Sequence, residues 1–337
     1  MWVVRPARPD DLAEIQSLAA SQAARVSTLP QAEDKLADKL DQSLRSFQGA
    51  AGTHGEERFL FVLEDLASGR IRGTAGIDAR AGCGQPFYNY RQDALIHASH
   101  ELGVSSRVDV LYPSHALTDN SLLCSFTIDR ELRETEAFDL LSRSRLLFIA
   151  QHRERFADRL VVEIQGVQDD QGQVPFWDSL GRHFFNMDFA TADQHSSELS
   201  KTFIAELMPP NPIYVTLLTD AAQAAIRQPH ALAHKTVALL EREGFQSGNY
   251  IDIFDGGPVL QARTDSLKTV VTSQRLEAVP GEVGDAPRYL VATGTGDAFR
   301  AVLSPLAEHL DGTAVMPADV EKLPGWQAGQ PILVAPL

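Results

Sequence analysis

The stretch from Ser121 to Arg145, SLLCSFTIDRELRETEAFDLLSRSR, constrains this chain more than any other. Leu122 to Ile128 reads as a strand, and Ala137, Leu140, Leu141, Leu147 and Phe148 fall at helical spacing on the next segment. A strand that runs into a helix is a junction where free backbone amides can cradle phosphate. Here the junction carries Arg133, Glu134, Thr135, Glu136 and Phe138, with no glycine. Thr135 suits the N-cap, while Glu136 and Asp139 fall in the first turns, so this helix end is expected to satisfy its own amides and dipole.

The flanking sequence extends the pattern. Trp2 to Arg5 predicts a short strand, and Leu12, Ile15, Leu18 and Ala19 predict a helix that begins near Asp10 or Asp11. A hairpin comes next: Phe59 to Leu63, a turn around Ser68 and Gly69, and a return strand from Ile71 to Ile77. Cys83 to Asn120 mixes aromatics, histidines and short strand-like runs, and reads as an elaboration on the core. RLVVEIQGV predicts another strand, and VPFWDSLGRHFFNMDF a short helix, a Gly-containing turn and an apolar return. This order is α+β, with one mixed sheet and flanking helices over residues 1–190. The helix, Gly-Phe turn and strand recur in HKTVALLEREGFQSGNYIDIF, which predicts a partial duplication over 191–270. Short strand-like runs separated by Gly and Pro predict a small β-rich module over 271–337.

Composition limits the function. The 337 residues suffice for two domains, and 44% hydrophobic with 22% charged content is that of a soluble globular protein. Thirty basic against forty-five acidic residues leave a net charge of −15, which repels nucleic acid and anionic membranes. No apolar run approaches the ~18 residues of a membrane span, and MWVVRPARPDDL places charges where a signal peptide needs an apolar core, so a cytoplasmic protein is expected. The two cysteines, Cys83 and Cys124, form no disulfide framework or metal-ligand spacing; both are expected to be buried apolar residues, and no metal site is expected. VATGTGDAF lacks the third glycine of a dinucleotide fingerprint and predicts a hairpin turn, and Arg153 to Arg159 predicts a solvated helix end.

VVRPARPDDLAEI, the junction from Ile128 to Leu140 and LLEREGF together resemble the GNAT superfamily of acyl-CoA N-acyltransferases. VSTLP, PFYNYR, HALTDNSLLCSF, SRSRLLFIA, FIAELMP, NPIY and NYIDIFDGGP resemble, more specifically, the arginine N-succinyltransferase family, as far as about residue 263. The block from Asn120 to Asp158 is similar in particular to the α-subunit branch of the two-subunit arginine/ornithine succinyltransferases.

The resemblance implies transfer of a succinyl group from succinyl-CoA, a co-substrate rather than a tightly bound cofactor, to the α-amine of L-arginine or L-ornithine. It also implies a related β subunit as partner. In this arrangement the amine attacks the thioester directly, so positioning supplies much of the rate and no nucleophile elbow is needed. His230, in RQPHALAHKT, lines up with the family's catalytic proton donor, although the family pattern Gly-Gln-Val-His-Pro becomes Arg227, Gln228, Pro229, His230, Ala231 here. Phe126 lines up with the succinyl-CoA contact, and a core aromatic is the alternative. Arg133 matches the Arg of the GNAT phosphate loop RxxGxG, but Glu136 and Phe138 replace its glycines. A carboxylate ~6 Å from a phosphate charge is repelled by roughly 2 to 3 kcal/mol at an effective dielectric near ~20, which weakens CoA binding at this junction. Glu206, Asp252 and Asp255 lie in family-specific segments and are expected either to meet the guanidinium of the substrate or to cap turns. Two rival functions remain beside succinyl transfer: a non-catalytic subunit that supports a catalytic β paralogue, and an acyltransferase for another acyl-CoA and amine.

Overall fold

The computed structural model describes residues 1–21, 29–30, 32–49, 55–82, 84–169, 171–198, 202–309 and 312–337. Cys83 and positions 26–28 of VSTLP lie outside them. Strand β1 (Trp2–Pro6) leads through a 3-10 turn at Pro9–Asp11 into α1 (Leu12–Ser21), and α2 (Glu33–Phe47) comes after it. The predicted hairpin is β2 (Arg58–Asp65) and β3 (Arg70–Asp78), turning on Gly69 at φ 71°, a left-handed conformation that glycine adopts without strain. The elaborated segment is a second hairpin of β4 (Asn89–Ser99) and β5 (Val104–Ser114). Next come β6 (Ser121–Ile128), α3 (Glu136–Gln151) and β7 (Arg159–Glu163), at the positions the apolar pattern predicted.

Short helices α4 (Pro175–Ser179), α5 (Gly181–Phe185), α6 (Phe189–Glu198) and α7 (Thr202–Leu207) precede β8 (Ile213–Tyr214) and α8 (Asp220–Ala225). The apolar residues after Asn186 begin α6, not the return strand expected there. Phe185 and Phe189 pack on the fully buried Trp177, whose indole N–H donates to the Met187 carbonyl at 3.1 Å. That burial favours a helical turn over a sheet edge. The second copy of the pattern keeps its strand: α9 (His234–Glu243) stops at Gly244, φ 108°, and leads to β9 (Gln246–Asp252) and β10 (Pro258–Arg263). The remainder comprises α10 (Lys268–Val271), β11 (Gln274–Pro280), β12 (Arg288–Thr293), β13 (Arg300–Pro305), β14 (Ala307–Glu308), β15 (Thr313–Met316) and β16 (Pro331–Pro336). Gly294 and Gly296 of VATGTGDAF turn β12 into its antiparallel partner β13.

These elements form two compact units interleaved in sequence: Met1–Ala79, Leu123–Asp158 and Thr264–Leu337 in the first, Arg80–Leu122 and Arg159–Arg263 in the second. The first is a mixed sheet ordered β14-β15-β11-β16-β12-β13-β1-β2-β3-β6. The C-terminal strands extend the sheet of β1, with Val4 opposite Ala301 on β13. Helix α3 covers this sheet and is buried on nearly every side from Ala137 to Ile149, which accounts for its apolar width. Phe47, Phe59, Phe61, Phe148 and Phe299 meet mostly edge to face in the core, with centroids 5.0–5.7 Å apart. Arg155 is not a solvated helix end, because Glu57 receives its guanidinium at 2.8 Å and both are largely buried. In the second unit β7 runs parallel to Ser121 and Leu122 and continues through β10, β9, β4, β5 and β8. The architecture is α+β, mixed sheet with flanking helices, as the order of elements predicted.

Candidate active site

In the second unit, His230 sits at the end of a loop pinned at each step. Arg227 stands at φ 64°, a left-handed conformation costly for a residue with a Cβ, and its amide donates to the Gly256 carbonyl at 2.8 Å. The family pattern compared above has glycine at this position, the residue that adopts such a conformation without strain. Pro229 bridges to Gly166, and the His230 amide donates to the Gln165 carbonyl at 2.8 Å. The imidazole then caps the turn Ala231–Ala233: the Leu232 amide donates to His230 Nδ1 at 3.1 Å. A nitrogen that accepts carries no proton, so the neutral ring holds its proton on Nε2.

Asp255 lies behind this loop. Its carboxylate is buried, and its Oδ2 accepts the Gly166 amide at 2.7 Å while Oδ1 accepts that of Gly257 at 2.8 Å. A Cβ at Gly166 would fall 2.6 Å from the Asp255 carbonyl, so glycine alone permits this approach. Burial, and then the charge of Asp252, push the Asp255 carboxyl well above the usual range against the pull of the two amides. Asp252 Oδ1 accepts the amides of Phe254 at 2.6 Å and Asp255 at 3.0 Å, the turn geometry open to a short carboxylate. Glu206 is exposed on α7, and no hydrogen bond or ion pair joins it to His230, Asp252 or Asp255 among the described residues. The structure therefore gathers His230 and Asp255 around Gln165 and Gly166, which the sequence reasoning missed. The glycine just past the strand in RLVVEIQGV was the available signal.

In the first unit, β6 is kinked at Ser125, φ 50°, where the Thr74 hydroxyl donates to its carbonyl at 2.8 Å. A left-handed residue inside a strand re-aims the side chain after it. Phe126 comes next, half-buried, edge-on to Phe138 at 5.3 Å and with the Arg145 guanidinium 5.2 Å from its ring centroid. Arg133 is half-exposed, and burial lowers its pKa while Glu134 raises it.

Thr135 does stand at the N-cap of α3, but its hydroxyl donates back to Leu132 at 2.8 Å and makes no cap bond. The expected self-capping by Thr135 is thus absent. Glu136 instead pairs with Arg288 of β12, so its charge is met by a cation. Phe138 is 1% exposed and belongs to the core. Cys124 is buried, and burial followed by the Asp78 charge pushes its thiol up to about 11, which keeps it neutral. Among the described residues no cluster of three or more His, Cys, Asp or Glu can hold a metal ion, and no helix is long and apolar enough to cross a membrane.

A family model described as the arginine N-succinyltransferase beta subunit matches residues 2–269, and a second, for that subunit's C-terminal domain, matches 273–336. The chain belongs to the arginine N-succinyltransferase family. It is an acyltransferase by that membership. Over 307 residues it is 47% identical to the arginine N-succinyltransferase subunit alpha of Pseudomonas aeruginosa, with 90% of each chain covered. The arginine N-succinyltransferase of Yersinia enterocolitica is 40% identical over 306 residues, covering 90% of this chain and 88% of the relative. The solved structure of arginine/ornithine succinyltransferase subunit AI from Pseudomonas aeruginosa is similar over 100% of this chain and 98% of that one, with a TM-score of 0.91 at 40% identity. The names alpha and beta thus label members of one family, and the α-subunit resemblance read from the sequence holds.

Proposed function

We propose that this chain transfers the succinyl group of succinyl-CoA to the α-amine of L-arginine, with L-ornithine as a second acceptor, in the first step of arginine degradation. The amine nitrogen attacks the thioester carbon, the C–S bond breaks, and the departing thiolate takes a proton while the amine gives one up. The observation that carries the reading is the Leu232 amide on His230 Nδ1 at 3.1 Å. It supports the tautomer with the proton on Nε2, which this reading assigns as the proton donor.

Phe126 and Arg133 are assigned to the acyl-CoA, as packing surface and phosphate cation respectively. Asp252 and Glu206, which keep solvent access, are assigned to the substrate guanidinium. Asp255 holds the His230 loop through Gly166. The working enzyme is cytoplasmic and includes a related subunit, as the name of the Pseudomonas aeruginosa relative supports.

A second reading, a non-catalytic subunit supporting its paralogue, is favoured by one observation: Phe138 is a core residue where the acyl-CoA loop of GNAT enzymes has glycine. Titration of the purified chain with succinyl-CoA, combined with thiol release with arginine with and without the related subunit, separates the two. Undetectable binding by the chain alone, together with unchanged kinetics of the complex after His230→Ala, would sink the catalytic reading. Preference for another acyl-CoA or amine would replace the substrates.

A further inference from the structure

Arg145 lies midway along α3 and is 2% exposed. Its hydrogen bonds run from Nε to the Ser142 carbonyl at 3.2 Å, from Nη1 to the Gly76 carbonyl at 3.4 Å and from Nη2 to Ser142 Oγ at 3.4 Å. All three acceptors are neutral, all three bonds are long, and a guanidinium has more donors than these satisfy. Among the described residues no carboxylate pairs with it. Burial lowers its pKa to about 10, so it remains a cation at neutral pH.

Of the other largely buried arginines of this unit, Arg5 pairs with Asp11 and Glu64 and Arg155 with Glu57, whereas Arg143 donates to the Thr269 hydroxyl and the Pro336 carbonyl and Arg300 to the carbonyls of Asp297 and Phe299. A cation taken from water without a counter-charge is retained at a cost, and the part of the chain it faces indicates what it serves. Arg145 faces Phe126, half-buried on the strand assigned above to the acyl donor.

We propose that Arg145 is the specificity residue for a dicarboxylic acyl group: it receives the distal carboxylate of the acyl thioester, which reaches the guanidinium past the Phe126 ring. The proposal rests on the succinyl-CoA reading and deepens it. A succinyl group differs from a butyryl group in carrying a carboxylate where butyryl ends in methyl. A guanidinium receives that carboxylate through two parallel N–H bonds, whereas a butyryl chain leaves the buried cation unmatched. Sites of this kind reject the analogue that lacks the polar group far more strongly than apolar pockets reject a missing methylene.

The test measures kcat/KM with arginine for succinyl-CoA and butyryl-CoA in the complete enzyme, as wild type, Arg145→Gln and Arg145→Lys. The wild type is expected to prefer succinyl-CoA by about 100-fold or more. Arg145→Gln should cut that preference at least about tenfold, through the loss on succinyl-CoA, and Arg145→Lys should keep part of it because charge remains while the fork is lost. Equal slowing of both thioesters in the variants, or an unchanged preference, overturns the proposal and leaves the donor assignment standing. A wild type indifferent between the two thioesters overturns the donor assignment itself. Should the Gln variant fail to fold, the Lys variant decides alone: its preference must fall severalfold.

Discussion

Asp255 receives the Gly166 amide at 2.7 Å, and the carbonyl of the preceding residue, Gln165, receives the amide of His230 at 2.8 Å. A buried carboxylate thus steers the imidazole through two residues of backbone. It does so by holding the segment on which the histidine loop rests, without touching the ring.

His230→Asn keeps an N-cap acceptor for the Leu232 amide but removes the group that moves the proton. Turnover should fall about 100- to 10,000-fold while stability changes by less than about 1 kcal/mol. Steady-state kinetics beside urea unfolding check this. Loss of both together would mean that the loop, not the imidazole, is what the variant damages.

Asp255→Asn points an amide N–H2 at one of two backbone N–H groups and should cost about 1–3 kcal/mol. The pH dependence comes from the raised carboxyl. Between the ordinary carboxylate range and the raised folded value, the native state holds a proton that the unfolded chain has lost. Stability from this group is therefore complete at low pH and declines as pH rises through that window. Urea titrations from acid to alkaline pH should show the gap between wild type and Asp255→Asn narrowing as pH rises.

Arg227→Gly removes a Cβ from a left-handed residue and restores the residue type of the family pattern. Strain relief of about 1–2 kcal/mol is offset by about 0.4–1 kcal/mol of unfolded-chain entropy, for a net gain of up to about 1.6 kcal/mol. The contact from its guanidinium to Ser247 at 3.1 Å is exposed and contributes little. The midpoint of urea unfolding should rise, and a fall would show that the loop does not need this conformation.

At the α3 junction, assigned in the proposal to the acyl-CoA, Glu136→Gln removes a carboxylate and releases Arg288. CoA affinity should rise severalfold at low salt, and the gain should shrink as salt screens it. Phe138→Ala should instead destabilise by about 3–5 kcal/mol, because the ring is core. Calorimetric CoA titration at two salt concentrations tests the first expectation, and urea unfolding the second.

The elements were largely legible because apolar periodicity reports burial. The pattern of Ala137, Leu140, Leu141, Leu147 and Phe148 placed α3, and the two strand-like runs either side of the Ser68–Gly69 turn placed the hairpin. MDF failed as a strand because a short apolar run is equally consistent with a buried helical turn, and Trp177 decided between them. His230 was found by its match to a family pattern. Gln165 contributes a backbone carbonyl, a role independent of side-chain type, so nothing in the letter Q announced it.

Most of the order of strands and helices, the family, and the absence of glycine at the α3 junction could be read from residue type and spacing alone. That β1 and the strands from Gln274 onward share one sheet, that Glu136 is met by Arg288, and that Arg145 is buried without an acid came from the fold. Those facts depend on residues tens to hundreds of positions apart, and local propensity and periodicity carry no information about which distant partners a fold brings together.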